Sequence, residues 1–206
     1  MLTQFVAAAG VLGLLTVVPG PDMAMVTQRT LATGSADGLR TVGGIAVGLL
    51  AWGALTVAGL AAVLAASPAA YLAVKLLGAG YLVLLGVQGL RQHRRAVPRP
   101  AAGGVRTTGS PWRTGLVGNL LNPKIAVFYT GLLPTLAPDG MPGAPAMALL
   151  VLLHTALTLV WLGSCVLLLS RAGAVLGGPR FRRALGRSTA VVLIGLGVAV
   201  AACGVP

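Results

Sequence analysis

The chain has 206 residues, of which 56% are hydrophobic and 9% are charged, and its mean hydropathy is +0.91. A soluble domain of this length cannot bury so much apolar surface, so the composition predicts an integral membrane protein. The apolar runs are long enough for helical spans, which need about 20 residues each. They lack the alternating pattern of transmembrane β-strands.

The charge is strongly positive, because 15 Lys and Arg against 3 Asp and Glu give a formal charge of +12. In a soluble protein this excess would indicate nucleic acid as a partner. Here the arginines lie between apolar runs, where they meet anionic lipid headgroups and orient the chain. Membrane lipids are therefore the predicted partner, and nucleic acid is not.

In chain order, the apolar runs predict an all-α membrane protein with six transmembrane helices, at about residues 5–18, 41–66, 70–90, 114–134, 146–170 and 188–205. The first is expected to be a retained helix rather than a signal peptide, because no Lys or Arg precedes it. The polar stretch at 28–40 is expected to be a loop. Gly44 and Gly48 form a GxxxG pair suited to close contact with another helix.

Proline interrupts the first and the fourth of these helices. Proline lacks an N–H and clashes with the preceding turn, so Pro19-Gly20-Pro21-Asp22 is predicted to break the first helix, which resumes near Met23. The segment from Asn119 to Lys124, which contains Pro123, is predicted to break the fourth. Both breaks place polar groups within an otherwise apolar run.

Loops that contain arginine alternate along the chain with turns that contain no Lys or Arg. The positive-inside rule places the arginine-bearing loops in the cytoplasm and both termini outside. The predicted domains are a first three-helix repeat at 1–90, a basic cytoplasmic linker at 91–113, and a second three-helix repeat at 114–206. The two repeats enter the membrane in opposite directions, and matched broken helices in inverted halves indicate the substrate site of a transporter.

The two breaks supply the candidate site. Exposed N–H groups at a helix start suit a carboxylate, and freed carbonyls suit an ammonium group or a proton carrier. Charges inside a bilayer are costly unless they are paired or hydrated, so Asp22 and Lys124 are expected to face a shared polar cavity. Together they match the two ends of a zwitterionic amino acid. The predicted substrate-binding residues are Asp22, Lys124, Asn119, Asn122, Pro19, Gly20, Pro21, Pro123 and Tyr129.

Simpler interpretations of these residues stay open. Asp22 is also consistent with a helix cap at the interface, and Lys124 with a side chain that extends to the headgroups. Asn119 and Asn122, three residues apart on one predicted helical face, are equally consistent with contact between helices. His154 is either a proton relay or a structural histidine bonded to a backbone carbonyl.

No catalytic set is present in the sequence. Two histidines, with no GxSxG or HExxH motif and no paired acidic residues, predict that the protein is not an enzyme and has no cofactor or metal site. The sequence also lacks a P-loop, so active transport would draw on an ion gradient or the membrane potential.

Three stretches resemble the LysE family of amino-acid exporters, particularly its RhtB-like branch. They are Thr16–Met23 followed by Gly38–Arg40 and Gly43–Gly48, then Leu76–Gly86, and then Gly115–Lys124 followed by Phe128 and Tyr129. The resemblance covers essentially the whole chain. It implies export of amino acids or related metabolites across the bacterial inner membrane by proton antiport. The family's aspartate and lysine correspond here to Asp22 and Lys124.

The leading hypothesis is therefore a secondary transporter that exports an amino acid or a close derivative in exchange for protons. The alternative is a metabolite or metal-ion channel or exporter of the same superfamily, which lacks support from an acidic ring or a repeated filter. A third hypothesis is a membrane scaffold that recruits partners through its arginine loops. The sequence leaves open whether the protein is a homo-oligomer.

Overall fold

The computed structural model describes residues 2–67, 109–138 and 140–176, with scattered positions between 69 and 90 and between 191 and 202. The three continuous ranges contain no β-strand, so the all-α prediction is confirmed there. A π-helical turn, Phe128–Leu132, and a 3-10 turn, Leu133–Leu136, precede the helix Gly143–Leu176. The α-helices of the three continuous ranges are α1 (Leu2–Val17), α2 (Pro21–Thr33), α3 (Ser35–Ala66), α4 (Pro111–Leu120), α5 (Pro123–Val127) and α6 (Gly143–Leu176).

Two helices in the described ranges are long and apolar enough to cross a membrane, namely Ser35–Gly59 within α3 and Gly143–Arg171 within α6. The α1–α2 pair, bent by 47° at its break, counts as a third if it forms one span. The predicted helices at 70–90 and 188–205, and most of the linker at 91–113, lie wholly or partly outside the described residues. The six-helix repeat and its domain boundaries therefore stay predictions.

The boundary between α1 and α2 follows from the two prolines. α1 ends at Val17, and α2 begins at Pro21, where the missing N–H is tolerated because the first turn offers it no partner. Asp22 therefore lies in the first turn of α2 rather than in the gap between the helices. The predicted loop at 28–40 is wrong, because only Gly34, with a φ of 97°, separates α2 from α3.

Arg29 also differs from the prediction that placed it in a cytoplasmic loop. It lies in α2 and is 3% exposed. Its Nη2 donates to the carbonyl of Gly109 at 2.8 Å and to Oγ1 of Thr114 at 3.4 Å. The planar guanidinium presents several N–H donors in a fixed arrangement. Arg29 thus holds the end of α2 against the start of α4.

α3 and α4 pack together along a seam of glycines. A Cβ built at Gly44 would lie 2.8 Å from the backbone nitrogen of Leu116, and one at Gly48 would lie 2.9 Å from the Cβ of Asn119. Side chains larger than hydrogen would therefore push the helices apart at both positions. The predicted close contact at the GxxxG pair is confirmed, and it brings Asn119 toward the centre of the helices.

Candidate functional site where helix ends meet

The end of α1 presents backbone carbonyls that regular helix cannot satisfy. In a continuous helix the carbonyl of Leu15 would accept the N–H of residue 19, but Pro19 has none. Lys124 fills this role instead, since its Nζ donates to the carbonyl of Leu15 at 2.9 Å and to that of Val18 at 3.0 Å. The ammonium also meets the negative end of the α1 dipole.

The start of α2 holds the opposite charge. Asp22 lies in its first turn, where a carboxylate favours the positive end of the helix dipole. Its Oδ2 accepts a hydrogen bond from Nδ2 of Asn119 at 2.8 Å. Its Oδ1 is buried and has no hydrogen-bond partner in the part of the chain that the structure describes. One carboxylate oxygen is thus held in place and the other is available.

Asn122 and Pro123 set the position of Lys124. Asn122 is the N-cap of α5, and its Oδ1 accepts the backbone N–H of Lys124 at 3.0 Å. Pro123 occupies the first position of α5, which its fixed φ favours. The Lys124 side chain is 7% exposed and points to the end of α1, so it does not extend out of the protein as a snorkelling lysine would.

The prediction that Asn119 and Asn122 share one helical face is wrong, because α4 ends at Leu120 between them. The residue before a proline disfavours helical geometry, and Asn122 precedes Pro123. The two amides consequently have different roles. Asn119 binds the Asp22 carboxylate, whereas Asn122 caps the helix that carries Lys124.

Tyr129 and His154 form a buried polar pair behind this arrangement. The Tyr129 hydroxyl lies 3.1 Å from Nδ1 of His154, and both side chains are at most 2% exposed. The ring of Phe128 packs against both, with centroids 5.8 Å from Tyr129 and 5.5 Å from His154. His154 therefore bonds to a tyrosine, where the structural interpretation expected a backbone carbonyl.

A cavity of about 30 Å³ lies where α1, α2, α3, α5 and α6 meet. This volume holds one or two water molecules, whereas ligand pockets typically measure several hundred Å³. The cavity must therefore widen before it can hold an amino acid. Its polar lining comes from Thr16, Asp22, Asn122, Lys124, His154 and Thr158.

The predicted site residues divide into two groups. Gly20, Asp22, Asn122 and Lys124 line the cavity. The other five do not line it: Asn119 and Tyr129 are fully buried, Pro19 is partly buried, and Pro21 and Pro123 are exposed.

Sequence reasoning did not select three kinds of lining group. Thr16 and Thr158 are not among the predicted site residues, although Thr158 lies one helical turn after His154 on α6. The carbonyls of Leu15 and Val18 cannot be recognised in the sequence, because every residue has a backbone carbonyl. The apolar lining, supplied in part by Met23, Leu49, Ile125 and Leu162, resembles any buried helix face in the sequence.

The chain matches the family model of LysE type translocators over residues 14–204. An uncharacterized membrane protein of Bacillus subtilis is 25% identical over 193 residues, which cover 90% of this chain and 92% of the relative. The threonine efflux protein of Escherichia coli K12 is 26% identical over 144 residues, or 68% of this chain and 70% of the relative.

A further relative, the leucine efflux protein of Salmonella typhimurium, is 30% identical over 115 residues, which cover 56% of this chain and 54% of the relative. No solved structure matches the chain. The family match extends over nearly all of the sequence, including every residue that lines the cavity. The chain therefore belongs to the LysE type translocators and is a membrane transporter, not an enzyme.

Proposed function

We propose that this protein is a secondary transporter that exports an amino acid across the bacterial inner membrane. The names of two relatives, a threonine and a leucine efflux protein, support this substrate class. The observation that carries the proposal is the pair of opposite charges, Asp22 and Lys124, lining one cavity at the meeting of two helix ends. The available Asp22 oxygen suits a substrate ammonium, and the Lys124 ammonium suits a substrate carboxylate.

The other predicted residues hold this pair in position. Asn119 fixes the Asp22 carboxylate, and Asn122 with Pro123 starts the short helix that carries Lys124. Pro19, Gly20 and Pro21 keep α1 and α2 apart so that their ends face the cavity. Tyr129 packs behind His154, which lines the cavity.

Proton antiport is the proposed source of energy. Asp22 is the only carboxylate among the cavity residues, and its unpartnered oxygen offers a place for a proton when no substrate ammonium is bound. Binding of a proton and binding of an ammonium group would then exclude each other at the same oxygen. Exchange of one for the other is the basic requirement for antiport.

The proposed membrane arrangement has six spans, with α1–α2 as one broken span and α4–α5 as another. Residues 1–90 and 114–206 form the two inverted repeats, and the linker at 91–113 is cytoplasmic, with both termini outside. The proposed substrate site lies within one chain, and it is compatible with a homo-oligomer. A channel is not favoured, because the 30 Å³ cavity is too small for an open path.

Efflux from cells loaded with dipeptides tests this proposal and identifies the amino acid. We expect Asp22→Asn and Lys124→Met to abolish efflux while the amount of protein in the membrane stays normal. Asp37→Asn is a matched control, because Asp37 pairs with the exposed Arg40 away from the cavity. Lys75→Met, at the only other lysine in the sequence, controls for loss of a positive charge. Normal efflux by both site variants would refute the site.

A further inference from the structure

We propose that the carbonyls of Leu15 and Val18, which line the same cavity as Asp22, complete the binding site that Oδ1 of Asp22 offers to the ammonium group of the transported amino acid. The side chain of Lys124 occupies the two carbonyls as a built-in substitute for that ammonium. The inference rests on the proposed function, and it adds a backbone site to the Asp22–Lys124 pair. It also specifies what substrate binding must displace.

The geometry is that of an ammonium site. Nζ of Lys124 lies 2.9 and 3.0 Å from the two carbonyl oxygens, at ordinary hydrogen-bond distances. An ammonium has three N–H donors, and the third has no partner among the described residues. The α-ammonium of an amino acid has the same charge and the same three donors. The site that accepts one therefore suits the other.

The electrostatics explain why a substrate can release Lys124. No ion pair joins Lys124 to Asp22 within the described residues, so neutral carbonyls are its hydrogen-bond acceptors. A substrate carboxylate adds an attraction between two full charges, which the neutral carbonyls do not provide. Lys124 then moves to the carboxylate, and the substrate ammonium takes the vacated carbonyls.

The available space agrees with such an exchange. The cavity of about 30 Å³, which Lys124 lines, has no room for an amino acid. A Cβ built at Gly20 would lie 3.5 Å from Cδ and 3.6 Å from Nζ of Lys124, so glycine leaves free space beside the part of the lysine that has to move. Displacement of Lys124 therefore enlarges the cavity and also frees the carbonyls of Leu15 and Val18 to accept the substrate ammonium.

The first experiment replaces the missing ammonium with a small molecule. Lys124→Ala removes a propylammonium group, so n-propylammonium is the probe and tetramethylammonium, which has no N–H, is the control. We expect n-propylammonium to raise the Tm of the purified variant by several degrees relative to tetramethylammonium. Wild type and Lys75→Ala should show no such difference, because Lys124 occupies the site in both.

A second substitution locates the bound amine. In Lys124→Ala/Pro19→Ala, residue 19 regains an N–H that competes with the bound amine for the Leu15 carbonyl. The rise in Tm that n-propylammonium causes should therefore be at most half of that in Lys124→Ala. If folded Lys124→Ala protein can be purified only in the presence of n-propylammonium, the yield of folded protein with each cation replaces Tm as the readout. The ammonium site would be overturned if both cations stabilised Lys124→Ala equally. It would also be overturned if adding Pro19→Ala left the stabilisation by n-propylammonium unchanged.

A transport measurement connects this site to the substrate. Pro19→Ala alone should raise the KM for amino-acid export about tenfold, which corresponds to the loss of one hydrogen bond to a charged group. An unchanged KM would show that the carbonyls only cap α1 and do not bind substrate. If export itself is absent while n-propylammonium binding is selective, the proposed function fails and the ammonium site stands.

Discussion

Asn119 on α4 donates to Asp22 on α2 across a distance of 2.8 Å. This bond joins the two segments that the sequence predicts to be broken, and it leaves Oδ1 of Asp22 free for another partner. The orientation of the carboxylate therefore depends on a residue that does not itself line the cavity.

We expect Asn119→Ala to lower kcat/KM for export at least tenfold, because the Asp22 carboxylate loses the donor that positions it. A hydrogen bond to a charged group contributes about 1.5–3 kcal/mol, which corresponds to about tenfold or more. Initial rates of efflux from reconstituted vesicles measure the effect. Val117→Ala, at a half-exposed position on the same helix, is the matched control and should leave kcat/KM unchanged. Equal rates for both variants would contradict the role of Asn119.

The buried pair of Tyr129 and His154 provides a second prediction, on stability. Tyr129→Phe removes the hydroxyl that lies 3.1 Å from Nδ1 of His154 and leaves a buried ring nitrogen without that partner. We expect a loss of about 1–3 kcal/mol, seen as a lower Tm of the purified protein in detergent.

A double variant distinguishes this bond from general packing. When both polar partners become apolar, the cost falls, because no buried group is left unsatisfied. Tyr129→Phe/His154→Phe should therefore be less destabilised than the sum of the two single variants. Additive losses would show that the two side chains contribute independently.

The sequence identifies Asp22 and Lys124 because a charge in an apolar run is conspicuous and a neighbouring proline gives it a structural context. It cannot identify the carbonyls of Leu15 and Val18, since their importance depends on which donor reaches them. That donor comes from more than 100 residues away in the chain. Likewise, the contact between Tyr129 and His154 arises only from the packing of separate elements.

The prediction of a loop at 28–40 is wrong for a related reason, because it too depends on which groups the polar side chains meet in the fold. Clustered polar residues favour a loop in the sequence, but α2 is short and buries polar side chains against its neighbours. Thr30 bonds to the carbonyl of Val26 within the helix, and Arg29 bonds to groups at the start of α4. Polarity in a helix that packs on polar partners does not indicate a loop. The glycine seam was predictable, by contrast, because small residues at a spacing of four mark a face for close helix contact.

That seam leads to a third prediction. Gly44→Ala should destabilise the protein by about 1–3 kcal/mol, because the added methyl would meet the backbone of α4, including the Leu116 nitrogen at 2.8 Å. Gly59→Ala on the same helix has no atom within 4 Å of the added Cβ, so it should be neutral or slightly stabilising. Thermal unfolding of both variants in one detergent provides the comparison. Similar Tm values would exclude close packing at Gly44.

The last prediction concerns the two arginines of the α2–α3 region. Arg29 is 3% exposed and donates to Gly109, near the end of the predicted linker, and to Thr114, at the start of the second predicted repeat. Arg40, with 66% of its side chain exposed, forms a surface ion pair with Asp37. Hydrogen bonds from a buried charged group contribute about 1.5–3 kcal/mol, whereas surface ion pairs contribute about 0–1 kcal/mol.

Arg29→Ala should therefore lower the Tm by several degrees and make the region around Gly109 easier to cleave by protease, since α2 no longer holds the start of α4. Arg29→Lys should recover only part of the stability, because an ammonium lacks the planar arrangement of donors that a guanidinium presents. Arg40→Ala is the matched control and should change neither readout appreciably. If Arg29→Lys matches wild type in both measurements, a positive charge at residue 29 is sufficient and the specific bonds to Gly109 and Thr114 do not hold the two segments together.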